Sequence, residues 1–195
     1  MDTVLDILTG IGLASAAGIR PFLPGLAAGA FAAADLTIDF EGTDLAFLEG
    51  SGWLLALVVA LIALVLVERT QGAKADSGPI GTVVMIVSMG VGALLFAGAL
   101  ADHSGTWWPG LIGGVICAFI AYRASHQLLA RTRARLDDEA AAALNVYAEG
   151  AGLLTAVLAI VAPPLGLVAL LGLIWLEVSG RRRSGEKYAG LRILR

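Results

Sequence analysis

The sequence predicts an all-α fold, a polytopic membrane helical bundle forming one integral membrane domain over residues 1–195, and three observations predict it. Hydrophobic residues make up 58% of the chain and charged residues 15%, against roughly 45–50% and 25% in soluble domains. Mean hydropathy is +0.85. Several apolar runs are long enough to cross a hydrocarbon core of about 30 Å, which takes about 20 helical residues. The runs at the two ends of the chain are interrupted by prolines, so the expected layout is two proline-broken helical hairpins flanking three transmembrane helices.

The first element is the apolar stretch from Val4 to Ala34, broken at GIRPFLPG (residues 18–25). Gly18, Pro21 and Pro24 mark the break, since proline removes a backbone N–H and clashes with the preceding turn. Backbone freed in this way survives in lipid only where it is buried in protein or lines a cavity. Arg20 sits between the two prolines, and an arginine at membrane depth is a functional-site candidate. The acidic N-terminus, with Asp2 and Asp6 and no basic residue, does not resemble a cleavable signal peptide. It suits a hairpin entered from outside (1–35), the alternative being one long kinked helix that starts inside.

Three uninterrupted spans follow, at 51–67, 79–100 and 107–125. The last element, 140–178, is broken by Pro163 and Pro164 and reads as a second helical hairpin, ahead of a basic tail at 179–195. Loop charge orients the set. Residues 35–52 carry Asp35, Asp39, Glu41, Asp44 and Glu49 without a basic residue, whereas Arg69 and Lys74 follow the next span. The positive-inside rule makes the first segment external and the second cytoplasmic. Alternation then makes Arg123, Arg131, Arg133 and Arg135 cytoplasmic, together with Arg181, Arg182, Arg183, Lys187, Arg192 and Arg195 in the tail. Twelve of the thirteen basic residues are thereby placed inside, and the thirteenth is Arg20. Trp53, Trp107 and Trp108 at outer ends, with Tyr122, Tyr147 and Trp175 at inner ends, fit the aromatic belts of a bilayer. A multi-pass protein of the bacterial cytoplasmic (inner) membrane with a cytoplasmic C-terminus is the expectation.

Charges at membrane depth point to a site. At about 1.5 Å per residue, Glu68 lies about 24 Å down its helix, and Glu149 and Arg20 reach a similar inner-half depth. Asn145 precedes Glu149 by four residues and shares its helix face. Arg20, Glu68, Glu149 and Asn145 are therefore the candidate substrate- or ion-binding residues. Two carboxylates beside one arginine can hold an excess proton; the bland reading is a single ion pair that pins the hairpin. Glu177 and Arg181, four apart at a helix end, read as an interfacial pair, and His126 as an interface residue near Arg123. Packing or dimer stripes of small residues occur at Gly25, Gly29 and Ala33 and at Gly110 and Gly114.

Other chemistry finds no pattern. Cys117 is the single cysteine, so neither a disulfide framework nor a thiolate metal site is expected. No cofactor is expected, and no catalytic residue or metal ligand is assigned. Gly10, Gly12 and Gly18 lie in a membrane segment with no preceding strand and do not form a phosphate loop. The arginine-rich tail reads as an anchor to anionic lipid, not as a nucleic-acid arm. Membrane lipid is the expected partner. A shift of 140 residues aligns Gly10, Gly12, Leu13, Ala16 and Pro24 with Gly150, Gly152, Leu153, Ala156 and Pro164, a weak hint of inverted repeats.

SAAGIRPFLPG at 15–25, Glu68 closing its apolar stretch, and NVYAEGAGLL at 145–154 together resemble the bacterial integral membrane family catalogued as domain of unknown function 4126. The likeness covers most of the chain, although the linker RTQGAKADSGP is shorter and more polar than that family's. It singles out Arg20, Glu68 and Glu149 and implies no particular activity. Two functional expectations follow from the residues: a small transporter, proton- or cation-coupled, for a small solute, ion or lipid head group; or a non-transporting oligomeric scaffold or accessory subunit whose charge cluster is structural. An intramembrane acid-base enzyme is third, since no nucleophile accompanies the carboxylates.

Overall fold

The computed structural model describes residues 2–36, 38–71, 78–104, 107–136 and 138–189. Those residues form seven α-helices and one short 3-10 turn: α1 (Asp2–Ile19), α2 (Phe22–Ala32), the turn Ala46–Leu48, α3 (Ser51–Gln71), α4 (Gly78–Ser104), α5 (Trp108–Arg133), α6 (Asp138–Val161) and α7 (Pro163–Ala189). The result is a helical membrane bundle in which α3, α4, α5 and α6 are long and apolar enough to cross a membrane. Helices exceed the expected spans at their polar ends, where α5 carries on to Arg133 and α7 to Ala189. Lys74, Asp76, Arg192 and Arg195 lie outside the described residues, as do the side chains of His103, Arg181, Arg182, Arg183 and Lys187.

Close approaches fix the direction of each helix. α1 passes Phe96 at Gly10 and reaches Ala118 and Ala121 at Gly18. α2 then runs back, from Leu57 and Val91 at Gly25 to Leu48 and Leu54 at Gly29. The N-terminal element is thus a helical hairpin that turns at Arg20 and Pro21. α6 runs from the Arg20 turn at Asn145 to Gly12 at Ala159, and α7 returns from Gly12 at Gly166 towards Gln127 of α5, which bonds Glu177. The second hairpin therefore turns at the opposite end. One end of the bundle holds residues 33–36 and 38–50, Trp107 and the Pro163 turn, and is called the loop end; the other, the arginine end, holds the Arg20 turn.

α1 is the central helix, packed against α4, α5, α6 and α7. Lipid supplies no hydrophobic force between helices, so close packing of small residues has to hold them together. Gly12 and Gly166 meet where α1 crosses α7: a Cβ on Gly12 would stand 2.7 Å from the Gly166 Cα. Gly18 is similar, with a Cβ there 2.4 Å from the Ala118 carbonyl oxygen. This corrects the expectation that Gly18 belongs to the break, because it is helical and a packing position. Pro24 is likewise not a break: it lies in the first turn of α2, where its missing N–H has no intrahelical acceptor to lose. Gly25, Gly29, Gly110 and Gly114 all face neighbours in their own chain, while Ala33 is exposed.

At the loop end α2 stops in a Schellman motif. Leu36 N–H bonds the Phe31 carbonyl and Asp35 N–H the Ala32 carbonyl, both at 2.9 Å. Asp35 takes the left-handed position at φ 53°, a conformation that Asp tolerates better than most residues. The segment that follows is not merely a charged loop. Phe40 and Leu48 are wholly buried, with Phe40 against Gly98 of α4, so the acidic segment is folded as a plug on the bundle. α3 rests mainly on α2 and the Ala46–Leu48 turn. Its Leu55, Val59, Ile62 and Leu66 are exposed, as a lipid-facing helix requires.

Candidate functional site

The Arg20 turn is built by covalent restriction. Pro21 forbids continuation of the α1 hydrogen-bond ladder, and α1 ends with Arg20 N–H on the Ala16 carbonyl at 3.1 Å. The chain turns there because Gly25 N–H can restart a helix on the Pro21 carbonyl at 3.4 Å. Arg20, 4% exposed, is held at the tip and points at α3 and α6.

Its guanidinium is the hub. Nη1 donates to Glu68 Oε1 at 2.6 Å, and Nη2 donates to Asn145 Oδ1 at 3.1 Å. Asn145 Nδ2 donates in turn to Glu68 Oε2 at 2.9 Å. The three side chains close a ring that fixes the Asn145 amide orientation. Glu149 Oε1 lies 3.8 Å from Arg20 Nε, and its other oxygen is buried without a hydrogen-bond partner. All four candidate residues therefore meet, from the α1–α2 turn, α3 and α6, with Arg20 and Asn145 125 residues apart. A buried charge is costly unless paired, and Glu68 also ties the otherwise peripheral α3 to the core.

α5 supplies a side of the cluster that the sequence reading misses. Arg133 Nη2 donates to Asn145 Oδ1, so two guanidinium groups converge on one amide oxygen. The expected balance of one arginine against two glutamates becomes two against two. His126 does not snorkel beside Arg123. It stacks on Tyr122, with ring centroids 4.0 Å apart, while Arg123 is exposed and covers the Phe119 ring. Tyr122 donates its hydroxyl to the Gly81 carbonyl at 3.0 Å. Tyr122, His126 and Arg133 lie at i, i+4 and i+11 of one helix, three turns of a single polar stripe, and that spacing is the signal in the sequence that could reveal them. Glu177 accepts from Gln127 Nε2 at 3.3 Å, a link between α7 and α5.

Among the described residues the Pro163 turn shows no comparable cluster. Pro163 and Pro164 open α7, the break itself is at Ala162, and Ala162 N–H bonds Leu158 at 2.8 Å. No charged side chain is near it in sequence between Glu149 and Glu177.

Chemically, the arginine end offers an anionic acceptor with an open valence, two fixed cations and a broken backbone. No curated protein and no solved structure matches the chain. Residues 7–183 match the family described as Domain of unknown function (DUF4126), and the chain belongs to that family.

Proposed function

We propose that this protein is a small transporter of the bacterial inner membrane, coupled to protons or cations, which moves a small solute, ion or lipid head group past the Arg20 turn. The observation that carries the reading is Glu149: its Oε2 is buried without a partner beside the tip of a broken hairpin. Transporters commonly build their sites from interrupted helices, and α2, at 11 residues, is only about 16 Å long and too short to cross. Glu68 is saturated by Arg20 and Asn145, so Glu149 is the better coupling residue of the two. Loop charges support an external N-terminus and loop end, with the arginine end and C-terminus cytoplasmic.

Flux into reconstituted vesicles under an imposed pH gradient tests the coupling. Glu149→Gln keeps the shape of the side chain but cannot release a proton, and is expected to abolish gradient-driven flux with the fold intact. Equal flux in wild type, Glu149→Gln and Glu68→Gln defeats the coupling mechanism. Single cysteines introduced as Asp2→Cys and Gly185→Cys in a Cys117→Ala background test the orientation, with labelling expected from opposite sides.

The second reading is a scaffold or accessory subunit in which the cluster is structural. It is favoured by the full engagement of Arg20, whose guanidinium is met by Glu68, Asn145 and Glu149. A broad substrate panel that never moves would select it.

A further inference from the structure

The tip of the first hairpin leaves backbone acceptors unused. Pro21 and Pro24 have no N–H, so the Ala17 and Arg20 carbonyls lack their i+4 donors by covalent structure. Across the turn the Ala16 carbonyl accepts from Arg20 and the Pro21 carbonyl from Gly25. The carbonyls of Ala17, Gly18, Ile19 and Arg20 accept no hydrogen bond among the described residues, and all four residues are buried. Buried backbone carbonyls are nearly always satisfied, by protein or by ordered water, so a run of orphan oxygens is a place that can hold water or a ligand that coordinates oxygen.

Two independent observations say which. Glu149 Oε2, buried and unpartnered, belongs to the helix packed on this turn: a Cβ on Gly152, one turn beyond Glu149, would stand 3.5 Å from the Ala16 carbonyl oxygen, the Arg20 Cβ and the Pro24 Cγ. Arg20, Glu68 and Glu149 have side-chain exposures of 5%, 10% and 14%, and Arg133, which shares the Asn145 oxygen with Arg20, brings the cluster to two cations against two anions. The C-terminal dipole of α1 adds roughly half a negative charge. A charge-balanced cluster that the helix dipole leaves weakly negative, with oxygen acceptors at a helix break, suits a small monovalent cation. A divalent ion usually draws on more carboxylates than the one with an unpartnered oxygen here, and an anion at the turn itself would meet carbonyl and carboxylate oxygens.

We infer that the Arg20 turn binds a small alkali cation between the orphan carbonyl oxygens of α1 and the carboxylate of Glu149. This deepens the transport reading by naming the coupling ion, but binding is measurable without transport. The full-length protein in detergent is titrated with NaCl, KCl and LiCl against choline chloride at fixed pH and ionic strength, by calorimetry and by the thermal unfolding midpoint.

Saturable binding of at least one alkali ion is expected, with a raised midpoint in the same salt. Glu149→Gln is expected to weaken it by about tenfold or more, the effect of one lost charge–charge contact. Pro21→Ala gives the Ala17 carbonyl an amide partner, is expected to weaken binding too, and decides the matter if Glu149→Gln fails to fold. Absence of both heat and midpoint shift with all three ions overturns the site, as does unchanged affinity in the variants. Alkali binding without flux of any substrate leaves the site standing and removes the transport reading; flux without any alkali binding does the reverse.

Discussion

The two proline turns look alike in the sequence and are unlike in the fold. At the loop end, Pro163 and Pro164 occupy the first positions of α7, where a missing N–H costs nothing, and Pro164 is exposed. At the arginine end, Arg20 and Pro21 are buried and the turn collects charged side chains from α3, α5 and α6. Proline alone therefore marks only a change of direction. Burial of the broken backbone, together with a charge that two other helices must answer, separates a site from a connection.

If that distinction is right, the largest effects belong to the arginine end. Arg20→Ala strands two carboxylates, and loss of one partner of a buried pair costs about 3–5 kcal/mol. Glu68→Gln in that background should restore part of the loss, as read by unfolding in mixed micelles; no recovery there or with Glu149→Gln would refute the pairing. The loop end has a counterpart of a different kind. Phe40→Ala removes a wholly buried ring and should also cost about 3–5 kcal/mol, but through packing and without any partner mutation that rescues it.

Glycines sharpen the comparison further. Gly18→Ala brings a Cβ within 2.4 Å of a backbone oxygen of α5, so a whole helix must shift, at about 1–3 kcal/mol. Gly152→Ala, whose nearest neighbours would stand at 3.5 Å, makes ordinary contacts and should be neutral or stabilising by up to about 1 kcal/mol. Pro163→Ala changes a turn that carries no site, and should cost under about 1 kcal/mol through the unfolded chain alone. A loss at Pro163 as large as that at Arg20 would show the two turns to be equivalent after all.

Much of the arginine end is legible in the sequence alone. Proline breaks are covalent facts, and a rise of about 1.5 Å per residue suffices to bring Glu68 and Arg20 to one level. Arg133 is not legible in that way. The positive-inside rule counts basic residues near helix ends and does not say whether one folds back, so it assigns Arg133 to a loop although that residue shares a stripe with Tyr122 and His126. Gly18 misleads for a related reason: beside two prolines a glycine looks like part of the break, and only Ala118 on the neighbouring helix explains it. In residues 35–49 the carboxylates dominate the pattern and hide Phe40 and Leu48. The alignment by 140 residues pairs α1 with α6, which do run in opposite directions, yet Gly10 lies under the Phe96 ring and Gly150 faces open space, so the matched residues do different work.

The smallest effect tests the loop end by pH. Glu49 lies among Asp35, Asp39 and Glu41, and burial pushes its carboxyl above the usual 4.5, with those three like charges adding to the rise and a backbone hydrogen bond at Phe40 opposing it. A raised folded-state pKa means that the folded chain holds the proton more tightly than the unfolded one. The stability Glu49 contributes is therefore fully present below about 4.5, the unfolded value, and is lost as pH rises through the higher folded value. Glu49→Gln has no proton to lose, so it should flatten that part of the pH profile and leave the protein at least as stable at neutral pH. Solvent around the half-buried side chain keeps the change small. Unfolding midpoints of wild type and Glu49→Gln between pH 4 and 7, in roughly the range where carboxyl groups titrate, measure it directly. A wild-type protein that gains stability relative to Glu49→Gln as pH rises would mean that a cation answers Glu49, and the loop end would then resemble the arginine end after all.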